Sequence, residues 1–192
     1  MSTIETQQAV TNRRPIDLGG ALREGGRRFL DDILPLVLAT LIVAALSVLT
    51  LGILAGPLYA GMLNMVIERM RDGKQPRVGD VFSCLDRFWA FLGAAILLAV
   101  TIGLASLTIV GGVLLAAIWF YTFPLMIDRR MGLIEALHTS KDMVLRTGFW
   151  EHVALVIVLI ALGALGRGPL FLLTVPFGAA VTVASYAEAR TR

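Results

Sequence analysis

Residues 33–67 read ILPLVLATLIVAALSVLTLGILAGPLYAGMLNMVI, 35 positions without a Lys, Arg, Asp, Glu or His. One helical crossing of a bilayer needs roughly 20 apolar residues. The run is therefore too long for one crossing and fits two helices joined by a tight turn. Gly52, Gly56 and Pro57 supply that turn, because glycine and proline punctuate helices. Gly52 and Gly56 also form a G-x-x-x-G pair, which beside Pro57 reads as a turn rather than a dimer face.

Two further runs follow. Residues 88–127 are also free of ionisable groups and are interrupted by Gly111 and Gly112. Residues 153–187 carry one charge, Arg167, between Gly166 and the Gly168–Pro169 pair. Three such hairpins make an all-α integral membrane protein of six transmembrane helices, with one polytopic domain over 13–188. Residues 1–12, rich in Ser, Thr and Gln, read as a disordered tail, and 189–192 as a short C-terminal one. The composition agrees: 57% of the 192 residues are hydrophobic and 16% charged, with a mean hydropathy of +0.79. A soluble domain is about 45–50% apolar and about 25% charged. The first apolar run follows a polar, acid-containing lead and no small-residue cleavage site follows it, so it is expected to remain as an anchor rather than be cleaved.

The basic residues orient the hairpins. Arg13, Arg14, Arg23, Arg27 and Arg28 precede the first, and Arg69, Arg71, Lys74, Arg77 and Arg87 separate it from the second. Arg129, Arg130, Lys141 and Arg146 precede the third, and Arg190 and Arg192 end the chain. Of the 17 basic residues only Arg167 falls at a tip. The positive-inside rule then puts both termini and both long loops in the cytoplasm. The net charge of +3 is spread over short loops and gives no nucleic-acid footprint.

The charged segments carry helical patterning of their own. Leu18, Ala21, Leu22, Gly25, Phe29 and Ile33 recur at helical spacing. Val78, Val81, Phe82, Leu85, Trp89 and Leu92 repeat it, with Asp80 placed as an N-cap. Ile134, Leu137, Val144, Leu145 and Gly148 make a weaker third copy. Each copy enters an apolar run through an aromatic: Phe29, Phe88–Trp89 and Phe149–Trp150. The repeat unit is an amphipathic interfacial helix followed by a transmembrane hairpin.

Candidate chemistry is sparse. No G-x-S-x-G, HExxH or Walker motif occurs, so no catalytic residue is assigned, and no metal or cofactor set is either. Glu135, His138 and Asp142 share a face of the third amphipathic segment; they read as a solvated polar face rather than a metal site. His152 reads as an interfacial polar residue, and the lone Cys84 as a packed small hydrophobe. Asn64 is the one strongly polar side chain within a span, expected to hydrogen-bond between helices, with pore lining as the alternative. Pro124 and Pro176, late in the fourth and sixth helices, either open a cavity or relieve packing. Arg23, Arg27, Arg28, Arg77, Arg87, Arg129 and Arg130 are the candidate contacts for anionic lipid headgroups.

Several short motifs also occur together: Gly56-Pro57-Leu58 with Gly61 and Met65, Asp80-Val81-Phe82, and Trp119 with Pro124-Leu125 and Asp128-Arg129. Glu135-Ala136-Leu137 with Ser140, and Pro176 with Ala184 and Tyr186, complete the set. Over about residues 16–188 the chain resembles the uncharacterised bacterial six-helix integral membrane proteins related to the membrane domain of glycerophosphoryl diester phosphodiesterase. The resemblance implies a six-helix fold in the bacterial cytoplasmic (inner) membrane. It carries over no catalytic residue, because catalysis in the phosphodiesterase belongs to a separate soluble barrel. The expected function is a non-catalytic scaffold, an accessory subunit of a membrane protein complex, or a lipid-organising protein. The alternative is a small transporter or channel for an apolar or amphipathic solute. Membrane lipids are the expected partners, and nucleic acid is not.

Overall fold

The computed structural model describes residues 16–166 and 170–191, and among these it is helical without a strand. The expected tail over 1–12 and the tip arginine, Arg167, lie outside the described residues. In chain order the helices are α1 (Leu18–Asp31), α2 (Ile33–Leu49), α3 (Ala55–Asp72), α4 (Phe88–Ala105), α5 (Ile109–Ile118), α6 (Thr122–Asp128), α7 (Leu133–Thr147), α8 (Phe149–Leu165) and α9 (Phe171–Arg190). Two short 3₁₀ turns, Val78–Phe82 and Leu85–Arg87, lead into α4.

Continuous helical stretches long and apolar enough to cross a membrane are Val78–Ala105, Val110–Asp128 and Phe171–Arg190. Two more arise if bent pairs count as single spans: α1 with α2, at 89°, and α7 with α8, at 108°. The second corner is made at Gly148, whose φ of +107° few other residues tolerate.

The sixth apolar helix, α3, falls outside that set because it ends in Glu68, Arg69, Arg71 and Asp72. Its place in the fold explains how it tolerates them. Leu58, Ala60, Met62, Leu63, Met65 and Val66 are all buried, and α3 packs against α2, α4, α6, α9 and the first 3₁₀ turn. A helix sheathed by other helices meets protein rather than lipid, so small and polar residues are admissible there. Gly61 marks the tightest contact, since a Cβ there would overlap the Val81 carbonyl oxygen. By contrast α4 is peripheral, burying only Phe91 and Ala94.

Polar contacts gather the charged helix ends at one end of the bundle. Asp32, before α2, accepts from Arg69 Nε at the end of α3 at 2.8 Å. Arg87, before α4, donates to the Met126 carbonyl of α6 at 2.7 Å and to the Met131 carbonyl at 2.9 Å. Asp128 closes α6 and receives Arg71 of α3 and Arg190 of α9.

The amphipathic segments depart from their expected pattern. α1 forms, but it packs along α9: its buried face is Ala21, Gly25 and Phe29. A Cβ on Gly25 would sit 2.7 Å from Val181 Cα, and Phe29 meets Phe177 edge-on at 6.0 Å. The Ile16 amide donates to the Thr147 carbonyl at 2.9 Å and the Asp17 amide to Glu188 at 3.0 Å, so α1 runs antiparallel to the end of α9. The second copy is no amphipathic α-helix. Residues 78–87 form 3₁₀ turns, and Asp80 is no N-cap; its carboxylate accepts from the Arg77 amide at 3.1 Å. In the third copy the inward face of α7 is Ala136, Leu137, Ser140, Val144 and Thr147. Ile134 and Leu145 point outward.

Candidate functional site

Two regions of the bundle combine space with polar groups, and the charged end is the richer. Asp128 is its anchor. Its carboxylate, with a side chain only 5% exposed, accepts from Tyr186 Oη and Arg190 at 2.9 Å each and from Arg71 at 3.3 Å. Three helices, α3, α6 and α9, are thereby tied through one group. Arginine's fixed fork of donors suits such multiple contacts.

Around this node lie three clefts. One, of about 250 Å³, is bounded by Arg129, Arg146 and Arg190 with Asp142, Thr139 and Thr147. A second, of about 200 Å³, has Arg28, Arg71 and Arg190 on its rim and Ile67, Met70 and Tyr186 in its wall. A third, of about 240 Å³, places Asn64 and Glu68 of α3 opposite Arg87, Arg130, Asp86 and Asp128. Its acidic and basic groups are mixed, whereas the first two clefts are predominantly basic. Beside it, Lys74 is held above the usual lysine range, chiefly by its hydrogen bond to Glu68.

Of the residues singled out in the sequence, Arg23, Arg27, Arg77, Arg129 and Arg130 are exposed at this end. Arg28 is half-buried and pairs with Glu24 at 2.7 Å. Arg87 has its guanidinium committed to two backbone carbonyls and lies over the Phe91 ring at 5.6 Å. Asn64 donates from Nδ2 to Glu68 on its own helix and to Ser83 in the connecting segment, each at 3.1 Å. Glu135, His138 and Asp142 are all exposed on α7, and no metal-holding group of His, Cys or acids occurs among the described residues.

His152 faces protein groups. It is fully buried, with Nδ1 2.6 Å from the Gly148 carbonyl and Nε2 2.8 Å from Tyr121 Oη. Nδ1–H donates to the carbonyl, which leaves Nε2 to accept the tyrosine proton. The same region holds a residue that periodicity passed over. Residues 119–121 break the run between α5 and α6, and Ser140 of α7 sits in the break. Its hydroxyl donates to the Ile118 carbonyl at 2.9 Å and accepts from the Tyr121 amide at 3.1 Å. Pro124, lacking an N–H, falls in the first turn of α6, where it is tolerated.

The second region is a cleft of about 370 Å³ inside the bundle. Tyr59 and Leu63 of α3, Phe123 and Pro124 of α6, Gly163 of α8 and Gly178 of α9 are among its walls.

No protein-family model matches the chain, and no curated protein or solved structure is significantly similar to it.

Proposed function

We propose that this chain is a six-span protein of the bacterial cytoplasmic membrane, with both termini in the cytoplasm, that holds anionic phospholipids at its charged end. In this reading it organises lipid around itself, as a scaffold or as a non-catalytic accessory subunit of a membrane complex. The observation that carries it is the cleft where Arg129, Arg146 and Arg190, from three separate segments, converge. It lies beside helices apolar enough to sit in lipid. A headgroup phosphate there would meet charge-assisted donors, which bind about twice as strongly as neutral ones. Trp89 and Trp150, 80% and 72% exposed at the starts of α4 and α8, suit the headgroup level where tryptophan concentrates.

Native mass spectrometry of protein extracted from mixed phosphatidylglycerol and phosphatidylcholine nanodiscs tests this. Retained adducts are expected to be phosphatidylglycerol, and Arg129→Gln with Arg146→Gln is expected to reduce them. Equal retention of the two lipids would defeat the reading.

The 370 Å³ cleft favours a second reading, a small transporter for an apolar or amphipathic solute. Flux of a lipid-soluble dye into proteoliposomes, above that of protein-free vesicles, would be its signature. A fold like that of the phosphodiesterase membrane domain fits this reading.

A further inference from the structure

The cleft between α3, α6, α8 and α9 extends from the tip side of the bundle to its middle. Tyr59 and Leu63 belong to the first half of α3, Leu159 and Gly163 to the second half of α8, and Thr174, Val175 and Gly178 to the first half of α9. These are the halves nearest the hairpin tips, while Phe120, Phe123, Pro124 and Thr182 carry the cleft to the middle of the bundle.

At about 370 Å³ the space falls at the lower end of small-ligand sites, roughly 300–1,000 Å³. It is a poor place for water, which needs about 2–4 polar partners to be held. The Thr182 hydroxyl donates to the Gly178 carbonyl at 2.8 Å and that of Thr174 to the Phe171 carbonyl at 3.5 Å. Tyr59 Oη makes no hydrogen bond with the described residues; its ring meets Phe123 edge-on at 6.0 Å.

Nor do the glycines in the wall serve packing. A Cβ at Gly163 would meet nothing within 4 Å, and one at Gly178 only Leu159 Cδ2 at 3.8 Å. At Gly25, Gly61 and Gly166, in contrast, a Cβ would collide with a neighbour. Gly163 is also exposed, so the cleft opens sideways to whatever surrounds the helices.

We infer that this cleft binds one acyl chain of a membrane phospholipid from the tip-side leaflet, with the Tyr59 hydroxyl donating to its ester carbonyl. The inference rests on the six-span reading, which makes lipid tails the surrounding solvent. An apolar groove with one free donor near the tip matches the chemistry of a tail that carries one acceptor near its headgroup. The arginine clefts share no lining residue with it, so this site is separate from them.

The test uses the full chain in nanodiscs containing a phosphatidylethanolamine with a diazirine on its acyl chain, followed by ultraviolet labelling and peptide mapping. Labelling is expected on Leu63, Phe123, Leu159 and Val175, besides the outer face of α4 around Ile96 and Val100. Gly178→Leu fills the cleft and is expected to lower cleft labelling about tenfold, with α4 labelling and the thermal midpoint preserved. Gly163→Leu is the second variant, should Gly178→Leu fold poorly. Tyr59→Phe is expected to lower cleft labelling about three- to tenfold, the worth of one hydrogen bond. Cleft labelling that survives in the filled variants overturns the site. So does labelling displaced by an unlabelled isoprenoid quinone but not by unlabelled phospholipid. Loss of labelling on α4 as well overturns the six-span reading, and the site with it.

Discussion

Ser140→Ala tests whether α7 is a structural clamp on the break between α5 and α6. In an unbroken helix the Tyr121 amide would bond to the Ala117 carbonyl, but Phe120 takes that acceptor. The Ile118 carbonyl would likewise receive Thr122, whose amide turns to Trp119 instead. One donor and one acceptor are therefore orphaned, and a single hydroxyl satisfies both. Ser140 and Tyr121 are fully buried, so no water replaces it. Stranding a buried amide costs about 1–3 kcal/mol, against a gain of at most ~0.5 kcal/mol for alanine in a helix. A net loss of about 0.5–2.5 kcal/mol should lower the thermal midpoint by roughly 1–10 °C at this chain length. The assay is thermal unfolding in nanodiscs, with hydrogen exchange at the Tyr121 amide as the local readout. Thr139→Ala, one residue away and making no side-chain hydrogen bond to the break, is the control, expected within about 0.5 kcal/mol of wild type. A midpoint within about 1 °C of wild type, with unchanged exchange at Tyr121, would refute the clamp.

Other outcomes follow from the same contacts. Asp128→Asn should destabilise the fold by about 1–3 kcal/mol, since two arginines and the Tyr186 hydroxyl are left with one uncharged accepting oxygen in place of two anionic ones; the SDS concentration at half-unfolding measures it. Gly25→Leu should prise α1 from Val181 and speed tryptic cleavage after Arg23, Arg27 and Arg28, while α2–α9 stay protected. In a Cys84→Ala background, a cysteine replacing Leu107, 85% exposed beside the second tip, should label from outside intact cells, and one replacing exposed Lys141 only after permeabilisation. Reversed labelling would invert the orientation. Purified protein is expected to leave glycerophosphodiesters intact, as an assay for released glycerol 3-phosphate would report.

The helical class was legible because it rests on features that burial does not alter: long uncharged runs with charge at their ends. The turns were less so: the first falls at 50–54 and includes Gly52, whereas Gly56 and Pro57 lie inside α3, and the second falls at 106–108, whereas Gly111 and Gly112 lie inside α5. What periodicity could not place was which face of a helix turns inward. In water a large apolar residue points to the core, but lipid is as apolar as leucine and withdraws that rule. Ile134 and Leu145 looked like the buried face of α7 and are exposed, while Ala136 and Ser140 are buried. Small size was the available signal, as it is for Gly25 against α9. His152 is a related case. A histidine two residues after Trp150 reads as headgroup-level, and only the fold supplies Tyr121 as its partner. The segment over 78–87 has helical spacing, but Gly61 admits the Val81 backbone so closely to α3 that tertiary packing overrides the local pattern.

The same withdrawal of hydropathy explains why α3, the least lipid-like of the six long apolar segments, is the one the others surround. A peripheral helix must satisfy lipid along most of its surface, as α4 does with Trp89, Ile96, Val100 and Leu104 outward. A central one needs close approach instead, and α3 supplies Gly56, Ala60 and Gly61 for that purpose. It can then carry Asn64 and Glu68 toward the connecting segment, and Arg69 and Arg71 toward Asp32 and Asp128. Those groups fasten α3 to the start of α2, to the 78–87 segment and to the end of α6. The shortness of its uncharged stretch is therefore a mark of its position: charge enters the helix early because protein, not lipid, is waiting there to receive it.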